Sequence, residues 1–419
     1  MITKPRGTVD LYGKKARMYT TMKELVCLLM NNYHFEEIIT PVFENEQLFT
    51  NGIGQETDIV GKEMFSFLDR KSRSMVLRPE FTAPVVRSVI ENKLYTNPLP
   101  LKLFYFDKCF RYERPQKGRQ REFWQFGVEI IGVKSQLAEV EAIQIIVNFL
   151  TILTIEEYKI RVNYLLTGSE REKYITELKK YLKNTKLCED CTTRIEKNPL
   201  RVLDCKIDVD ILKKAPKMVD YSSIKDKENF DKIIKVLKIS NIQTTKDDNL
   251  VRGLDYYTGL IFEVDLKFKD GTYLTIAGGG RYDGLIEKLS GPALESVGFG
   301  LGLERLFLYI EDRNIELLHE NPVEVYFVGL TDQSRIFTSL IANALRMGGV
   351  SCEINHDERS LKSSFKYCEQ IDAKNIVVIG DDEVKSNTFK VKNQKTKKEK
   401  TIVGFEELVK YFIDNKKGN

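Results

Sequence analysis

Apolar residues recur every three or four positions near the start of the chain, over residues 14–32. They are Met18, Met22, Leu25, Val26 and Leu29. This spacing predicts an amphipathic helix. Residues 35–41, with Phe35, Ile38 and Ile39, follow and end at Pro41, which predicts a strand that stops at the proline.

Longer apolar runs predict a sheet in the next hundred residues. Residues 65–68 and 75–77 have the pattern of short strands, and a helical pattern covers 82–92. Residues 101–110 and 123–132 are apolar strands on either side of a charged turn. They predict a long antiparallel hairpin with a basic tip, and a helix over 136–151 follows it.

Charged helical patterns with few aromatic residues fill 161–245, which we interpret as a mostly helical insertion. The strand pattern resumes at Val251 and ends in an apolar helix over 301–310. We therefore divide this part of the chain into 1–160, the insertion at 161–245, and 246–320. The first and third segments are predicted to form one domain.

Strands and helices alternate after Asn321-Pro322, over residues 323–419. Apolar strands at 323–330, 350–355 and 376–379 alternate with helical patterns at 334–347, 361–371 and 405–415. Residues 390–403 have the pattern of a charged hairpin. This alternation predicts a separate α/β domain with a partly parallel sheet.

Composition indicates what kind of protein this is and where it is found. Among 419 residues, 42% are hydrophobic and the net charge is only +4, so any nucleic-acid contact must come from local basic patches. Seven scattered cysteines favour a reducing compartment. The start lacks the apolar core of a signal peptide, and no run approaches the ~20 apolar residues of a membrane span. We expect a cytoplasmic protein without a membrane partner.

Several common catalytic signatures are absent from the sequence. It contains no Gly-x4-Gly-Lys-Ser/Thr phosphate loop, no Gly-x-Gly-x-x-Gly and no Gly-x-Ser-x-Gly. The three histidines, at 34, 319 and 356, are too few and too scattered for a histidine-based metal site or triad.

The decapeptide 250–259, Leu-Val-Arg-Gly-Leu-Asp-Tyr-Tyr-Thr-Gly, places one guanidinium, one carboxylate and two phenols between two glycines. If it is a strand, Tyr256 and Tyr257 point to opposite faces. The segment suits a site that holds a small polar ligand beside an anion. The alternative is a tyrosine-rich hairpin with a surface arginine.

Two further segments carry candidate chemistry. The hairpin tip places five basic residues within 111–121, and Arg111 ends an apolar strand, where we expect it to face an anion. Glycines at 298, 300 and 302 leave one face of a strand bare, where a flat ring such as adenine could lie. Alone, the hairpin tip also fits a solvated basic loop, and the glycine segment also fits a strand packed tightly on a helix.

Together, the three segments resemble the class II aminoacyl-tRNA synthetases. Phe110-Arg111-x-Glu113 is similar to their motif 2, and Gly-x-Gly-x-Gly-x-Glu304-Arg305 to motif 3. The helix and strand that end at Pro41 are similar to motif 1. Four segments resemble the histidyl-tRNA synthetases in particular: 77–84, 114–118, 252–257 and 280–284.

The resemblance implies a fold and a reaction. The fold is an α+β catalytic domain, an antiparallel sheet flanked by helices, with a helical insertion and a C-terminal α/β anticodon-binding domain. The reaction is ligation of L-histidine to tRNA(His), with ATP and Mg²⁺, through histidyl-adenylate. Arg111 and Arg252 would act on the α-phosphate and the histidine carboxylate. Glu113, Arg119 and Arg305, with Arg111, would bind ATP.

The resemblance also assigns the histidine pocket. Glu80, Thr82 and Gln125 would contact the ammonium group, while Glu129 and Tyr256 would contact the two ring nitrogens. Tyr257 and Tyr282 would line the pocket. Independently, Gln125 and Glu129 share one strand face because their positions differ by an even number. Phe81, where many relatives carry a small residue, is expected to narrow the pocket mouth.

Contacts with tRNA follow from the same resemblance. Arg114, Gln116, Lys117 and Arg121 of the hairpin tip would touch the acceptor end. Lysines of the 390–403 hairpin could touch RNA, although a solvated hairpin is favoured because charge runs usually face water. They are Lys390, Lys392, Lys395, Lys397, Lys398 and Lys400. The first forty residues imply a homodimer.

Cys188, Cys191 and Cys205 resemble part of a zinc site, but this stretch offers only three thiols and no histidine. The family often has a similar stretch around Asn198-Pro199-Leu200-Arg201. We therefore favour a structural role and expect no zinc.

One rival function is left open. The regulatory subunit of ATP phosphoribosyltransferase is a synthetase-like paralogue that binds histidine without forming adenylate. Such a paralogue is expected to lose several ATP-binding arginines and the anticodon domain, whereas this chain keeps both. A kinase-fused RNA sensor is excluded because the chain has no kinase segment.

Overall fold

A computed structural model describes residues 1–54, 57–317 and 323–417. The chain divides into two compact units, 1–318 and 319–419. Each unit is described separately. Among the described residues, no helix is both long and apolar enough to cross a bilayer.

The first unit combines strands with helices throughout its length. Its strands are β1 (Glu36–Glu37), β2 (Phe43–Asn45), β3 (Phe65–Leu68), β4 (Ser74–Leu77), β5 (Leu101–Phe110), β6 (Glu122–Ile131), β7 (Tyr158–Leu165), β8 (Thr244–Lys246), β9 (Thr258–Lys267), β10 (Tyr273–Arg281) and β11 (Ser296–Gly302). Its helices are α1 (Gly13–Asn32), α2 (Glu46–Gly52), α3 (Thr82–Glu91), α4 (Leu137–Ile152), α5 (Gly168–Lys183), α6 (Glu189–Lys197), α7 (Val209–Leu212), α8 (Ile224–Ile239), α9 (Leu285–Lys288) and α10 (Leu303–Arg313).

An eight-stranded sheet in the order β1-β5-β6-β11-β10-β9-β7-β8 organises this unit. Its central pairs are antiparallel, as predicted, whereas the outermost pairs β1–β5 and β7–β8 are parallel. The predicted long hairpin is confirmed as β5–β6, which pairs from Leu101↔Ile131 to Phe110↔Glu122. A small sheet, β2-β4-β3, lies apart from it.

Alternation along β5 and β6 separates two cores. Even-numbered residues such as Phe104, Phe126 and Val128 pack with α1, α4, α8 and α10. Odd-numbered residues such as Leu103 and Tyr105 pack with α2, α3 and the insertion helices α5, α6 and α7. Since successive strand side chains point to opposite faces, Gln125 and Glu129 belong to the second face.

Two predicted boundaries need correction. The insertion was placed at 161–245, but both limits fall inside β7 and β8 of the main sheet, and its helices lie within 168–239. Polar residues alternate with apolar ones along β7, so its composition resembles that of the charged helices after it. The strand predicted over 35–41 shortens to β1, Glu36–Glu37.

The second unit has its own five-stranded sheet, in the order β13-β12-β14-β15-β16. The first three of these strands are parallel and the last two pairs antiparallel. The predicted charged hairpin is confirmed as β15–β16. The elements are β12 (Val325–Gly329), α11 (Asp332–Met347), β13 (Cys352–Ile354), α12 (Leu361–Gln370), β14 (Asn375–Ile379), α13 (Asp381–Ser386), β15 (Thr388–Asn393), β16 (Glu399–Val403) and α14 (Phe405–Lys417).

Candidate active site

Glu129 is the centre of a buried polar network on the second face of the sheet. Its side chain is fully buried. Oε1 accepts hydrogen bonds from Thr82 Oγ1 at 2.8 Å and from the Tyr105 hydroxyl at 3.4 Å, while the Tyr282 hydroxyl donates to Oε2. Burial raises the pKa of Glu129 to about 8, although the hydrogen bonds from Tyr282 and Thr82 oppose this shift.

Glycines on β11 make room for this carboxylate. A Cβ at Gly298 would lie 1.9 Å from Glu129 Oε2, and one at Gly300 would lie 2.7 Å from Gln125 Nε2. The expectation of a continuous bare strand face is therefore wrong, because neighbouring β6 side chains fill it at both positions. Only Gly302 is open, since the nearest described atom to its Cβ position is Ile276 O at 4.0 Å.

Glu80 lies beside this network at the start of α3. Its oxygens accept the backbone N–H groups of Thr82 at 2.8 Å and Ala83 at 2.9 Å, which are otherwise unpaired at a helix start. The Tyr256 hydroxyl donates to Glu80 at 3.4 Å. Burial raises the pKa of Glu80, and the two backbone hydrogen bonds oppose the rise.

Three tyrosines form one wall of the site. The ring of Tyr256 lies 4.8 Å from that of Tyr257 and 5.7 Å from that of Tyr282. The sequence analysis placed Tyr256 and Tyr257 on opposite faces only if their segment is a strand, and this condition is not met. Strand β9 begins only at Thr258, and Gly259 has a φ of +61°, so the two tyrosines belong to a loop and share one cluster.

Arg252 lies across β10, close to the tyrosine wall. Its Nη1 donates to Glu263 at 2.6 Å, and its Cζ lies 5.6 Å from the centre of the Tyr257 ring. Its buried Nε has no partner among the described residues. A Cβ at Gly278 would lie 2.1 Å from Nη1, so a side chain there would displace the guanidinium. The sequence analysis did not identify Glu263; its signal was a carboxylate within the apolar run of β9.

Three further arginines lie near one another. Arg111 Nε donates to Pro79 O at 2.9 Å, and Arg305 Nη1 donates to Thr275 O at 2.6 Å. Burial and then the positive charge of Arg119 lower the pKa of Arg305, and Arg111 adds to the effect. Such mutual repulsion favours binding of an anion among these guanidinium groups.

Arg119 also forms an ion pair with Glu113 at 3.0 Å. Both residues were predicted to bind ATP, so the pair places a carboxylate beside the arginine group.

The hairpin tip presents only part of its predicted set to solvent. Arg114, Gln116 and Lys117 are exposed, whereas Arg121 is half-buried. The Arg121 guanidinium stacks 3.9 Å from the centre of the Tyr112 ring, and its Nε donates to Glu113 O at 3.3 Å. Arg121 therefore shapes the loop that carries the other three.

Phe81 is packed in the second core, and its effect on the pocket mouth stays a prediction. Its ring is 2% exposed and stacks on Tyr105 with 4.1 Å between ring centres. On its other side, the Arg78 Cζ lies 4.3 Å from the ring centre. Arg78 itself is fully buried and donates to Thr40 O and Lys108 O. Phe81 and Arg78 therefore stabilise the packing around Tyr105.

Two family models match this chain. Residues 7–306 match the family model described as Histidyl-tRNA synthetase, and residues 324–415 match that of the Anticodon binding domain. The chain belongs to the histidyl-tRNA synthetase family. The resemblance seen in the sequence segments is therefore confirmed over both units, as are the class II catalytic fold and the C-terminal domain.

Individual members of the family are similar over nearly the whole chain. The histidine–tRNA ligase of Mesoplasma florum is 43% identical over 99% of this chain and 91% of its own length. That of Mycoplasma mycoides is 42% identical, covering 97% and 99%. The crystal structure of apo Staphylococcus aureus histidyl-tRNA synthetase has a TM-score of 0.84 at 34% identity, covering 99% of this chain and all of that one.

A solved protein from Bacillus halodurans, described as an ATP phosphoribosyltransferase regulatory subunit/histidyl-tRNA synthetase, has a TM-score of 0.64 at 20% identity. At that identity it shows the common fold alone. Full-length similarity to histidine–tRNA ligases does not favour the regulatory alternative.

Proposed function

We propose that this chain ligates L-histidine to tRNA(His), using ATP and passing through histidyl-adenylate. The observation that carries the proposal is the buried Glu129 network together with four arginines. Arg119 and Arg252 each pair with one carboxylate, and the other two are Arg111 and Arg305. The Glu129 network suits a small ligand with several N–H groups, and the arginines suit a polyphosphate. Full-length similarity to histidine–tRNA ligases supports the same reaction.

Glu129 and Tyr256 would bind the two nitrogens of the imidazole ring. Each can pair with one nitrogen because a carboxylate accepts and a phenol can donate or accept. The hydroxyls of Thr82 and Tyr282 fix the Glu129 carboxylate, so little rearrangement is needed on binding. Glu80, Thr82 and Gln125 would accept the ammonium group, and Tyr257 and Tyr282 would form the walls.

This arrangement favours histidine over apolar analogues. A site that hydrogen-bonds polar atoms of its substrate rejects analogues lacking them by ~10⁴ or more, since its own buried groups are left unpaired. Glu129 is fully buried, so bulk solvent does not replace a lost substrate partner.

Adenylation would take place between Arg111 and Arg252. A carboxylate oxygen of histidine attacks the α-phosphorus, the bond to the β-phosphate bridging oxygen breaks, and pyrophosphate leaves. Negative charge spreads over the phosphate oxygens, and fixed cations stabilise that charge. The attacking carboxylate carries no proton at neutral pH, so the step requires no protein base.

Arg119 and Arg305 would hold the outer phosphates. The adenine ring would lie against Gly302, the open position on β11. Glu113, paired with Arg119, would border the same ATP site.

Magnesium would accompany ATP, as is general for class II synthetases. Among the described residues, no three carboxylates converge near the arginines; the one converging group lies in the insertion. Glu113 and Glu263 remain as candidate ligands, which fits Mg²⁺ because this ion is usually held by one or two carboxylates together with phosphate oxygens. When bound, it would neutralise phosphate charge.

Transfer to tRNA would follow at the same site. Arg114, Gln116 and Lys117 are exposed at the tip, where they can meet the acceptor end, with Arg121 supporting the loop. In the second unit Lys392 pairs with Glu399 at 3.4 Å, and Lys400 lies 4.3 Å from the Tyr411 ring centre. These partners support a solvated hairpin at 390–403, with RNA contacts elsewhere in the anticodon-binding unit. The reaction would take place in the cytoplasm.

A homodimer is part of the proposal. Large apolar side chains near the start of the chain are exposed, including Leu28, Ile39 and Phe43. Exposed apolar surface of this kind is typical of an interface. Sedimentation analysis should give twice the chain mass for the native protein and the single chain mass for Ile39→Glu. A native monomer at micromolar concentration would contradict the dimer.

Charging of tRNA tests the activity itself. Purified protein should attach radiolabelled histidine to tRNA(His) transcripts in the presence of ATP. A transcript for another amino acid is the matched control and should remain uncharged. Histidine binding without any charging would favour the regulatory alternative instead.

A further inference from the structure

Three cysteines and one aspartate converge in the helical insertion. The ligand atoms of Cys188, Cys191, Cys205 and Asp208 all lie within 4.8 Å of one another. Along the chain they form two pairs with the same internal spacing, Cys-x2-Cys and Cys-x2-Asp, separated by thirteen residues. Paired x2 spacings of this kind are typical of structural zinc sites.

Two distances within the cluster match those around a tetrahedral ion. With metal–sulfur bonds of about 2.3 Å, two sulfurs in a tetrahedron are about 3.8 Å apart. Cys188 Sγ and Cys205 Sγ are 3.8 Å apart. With a metal–oxygen bond of about 2.0 Å, sulfur and oxygen are about 3.5 Å apart. Cys205 Sγ and Asp208 Oδ2 are 3.5 Å apart.

A disulfide does not account for this arrangement. The sulfur atoms of a disulfide are about 2.05 Å apart, far closer than the 3.8 Å observed. A disulfide between two of the cysteines would also leave the third thiol and the carboxylate unexplained.

The backbone around each pair is shaped alike. The N–H groups of Ile207 and Asp208 donate to Cys205 Sγ at 3.3 and 3.4 Å. The backbone N–H of Cys191 donates to Cys188 in the same way, three residues on. Such N–H donors stabilise thiolates. The Cys188 N–H donates to both Asp208 oxygens, at 3.3 and 3.2 Å, and so joins the two halves.

Packing alone does not explain why four ligands meet. Cys368 is buried singly among apolar residues, where a thiol acts as a small apolar group. The four-residue cluster instead brings three thiols and a carboxylate into contact, with Cys191 fully buried and Asp208 nearly so.

We propose that Cys188, Cys191, Cys205 and Asp208 bind one structural Zn²⁺ ion. On binding, the three thiols release three protons to solvent and become thiolate ligands, and the Asp208 carboxylate is the fourth ligand. All four positions are filled by protein, which is the arrangement of a structural site. The sequence-based expectation of no zinc depended on a missing fourth ligand, and Asp208 supplies it.

The site has a structural consequence for the loop 250–259. The segment between the two pairs carries Asn198 and Arg201. Asn198 Nδ2 donates to Asp255 at 2.7 Å, and Arg201 Nη2 donates to Asp58 at 2.9 Å. Since the ion would close this segment into a fixed loop, it would also hold Asn198 against Asp255.

Metal content of the full-length protein tests the proposal. Protein reconstituted with equimolar zinc and passed through metal-free buffer should retain close to one zinc per chain by mass spectrometry. Cys188→Ser should retain little. Asp208→Asn should bind zinc about a hundredfold more weakly, because one of four ligands contributes roughly a quarter of the binding free energy. Cys27→Ser and Asp210→Asn, at exposed or half-exposed positions outside the cluster, should retain it fully.

Thiol alkylation of the unmodified protein covers the case in which a variant fails to fold. Zinc should protect Cys188 and Cys205, which are half-exposed, and a chelator should make them reactive, while Cys27 is alkylated in both states. Native protein that retains no zinc after reconstitution would overturn the proposal. So would equal alkylation with and without zinc, or an intact mass showing a disulfide within the cluster. None of these measurements depends on the proposed ligase activity.

Discussion

At the scale of single residues, the site depends on a carboxylate kept out of water. Glu129 receives three hydroxyl donors, from Thr82, Tyr105 and Tyr282, yet burial still raises its pKa to about 8. The folded protein therefore binds a proton there more tightly than the unfolded chain does. A substrate N–H or ammonium group would relieve this cost, so the surroundings of Glu129 favour a cationic ligand.

Glu129 should make the unfolding free energy depend on pH. Its folded pKa of about 8 lies above its ordinary value of 4.5, so its contribution to stability is present at low pH and is lost as pH rises towards 8. Glu129→Gln removes this titration. Urea unfolding at pH 5.5 and 8.5 should show the variant gaining stability relative to the native protein at the higher pH. A pH-independent difference between the two proteins would contradict the raised pKa.

Arg252 should contribute mainly to the chemical step. Its buried Nε lacks a described partner, so the guanidinium retains a donor for a developing charge. Losing one such donor costs ~10²–10³ in rate. Arg252→Ala should therefore lower the single-turnover adenylation rate by about that factor. Arg313→Ala, which removes an arginine paired with Glu157 at 2.8 Å, is the control. Normal adenylation by Arg252→Ala would exclude this role.

At the scale of elements, register and glycine placement decide the shape of the pocket. Strand pairing sets Gly298 opposite Glu129 and Gly302 opposite Gln125. A side chain at 298 would occupy the volume of the carboxylate. The position of Glu129 on β6 therefore depends on the glycine opposite it on β11.

Gly298→Ala tests this dependence of Glu129 on the facing glycine. Its Cβ would lie 1.9 Å from Glu129 Oε2 and 2.6 Å from Val128 O, and backbone cannot easily move. Overpacking costs about 1–3 kcal/mol, which corresponds to about 5–150-fold in kcat/KM for histidine. Gly284→Ala is the control, since no described atom lies within 4 Å of its Cβ position. Unchanged histidine kinetics in Gly298→Ala would show that the carboxylate can move freely.

Sequence patterns predicted the elements better than their contacts. Ten-residue apolar runs gave β5 and β6 almost to the residue, and the odd positions 125 and 129 were correctly placed on one face. The patterns could not reveal that Thr82, Tyr105 and Tyr282, far apart in sequence, all meet Glu129. Periodicity could not decide whether Tyr256 and Tyr257 lie in a strand, because β9 starts only at Thr258, next to Gly259 with its positive φ.

At the scale of the whole molecule, two units carry separate tasks. The first contains every residue of the proposed adenylation site, and the second matches the anticodon-binding family over 324–415. Each unit has its own sheet and its own buried core. The boundary near 320 was predictable from the change to alternating strands and helices. The insertion limits were not, because polar and apolar residues alternate along β7 and no continuous apolar run marks it as a strand.

Removal of residues 323–419 should separate the two steps of the reaction. Adenylation needs only groups of the first unit, whereas charging also needs the tRNA to be held. The truncated chain should therefore lose far more tRNA-charging activity than histidine-dependent pyrophosphate exchange. Equal loss of both activities would instead assign the second unit a structural role in the folded protein.

The most direct test of the central claim is ATP–pyrophosphate exchange by the purified full-length protein without tRNA. The Glu129 network and the arginines predict exchange that depends on histidine and is not supported by other amino acids. Exchange that is absent, or that proceeds without histidine, would contradict the assignment of this site to histidyl-adenylate formation.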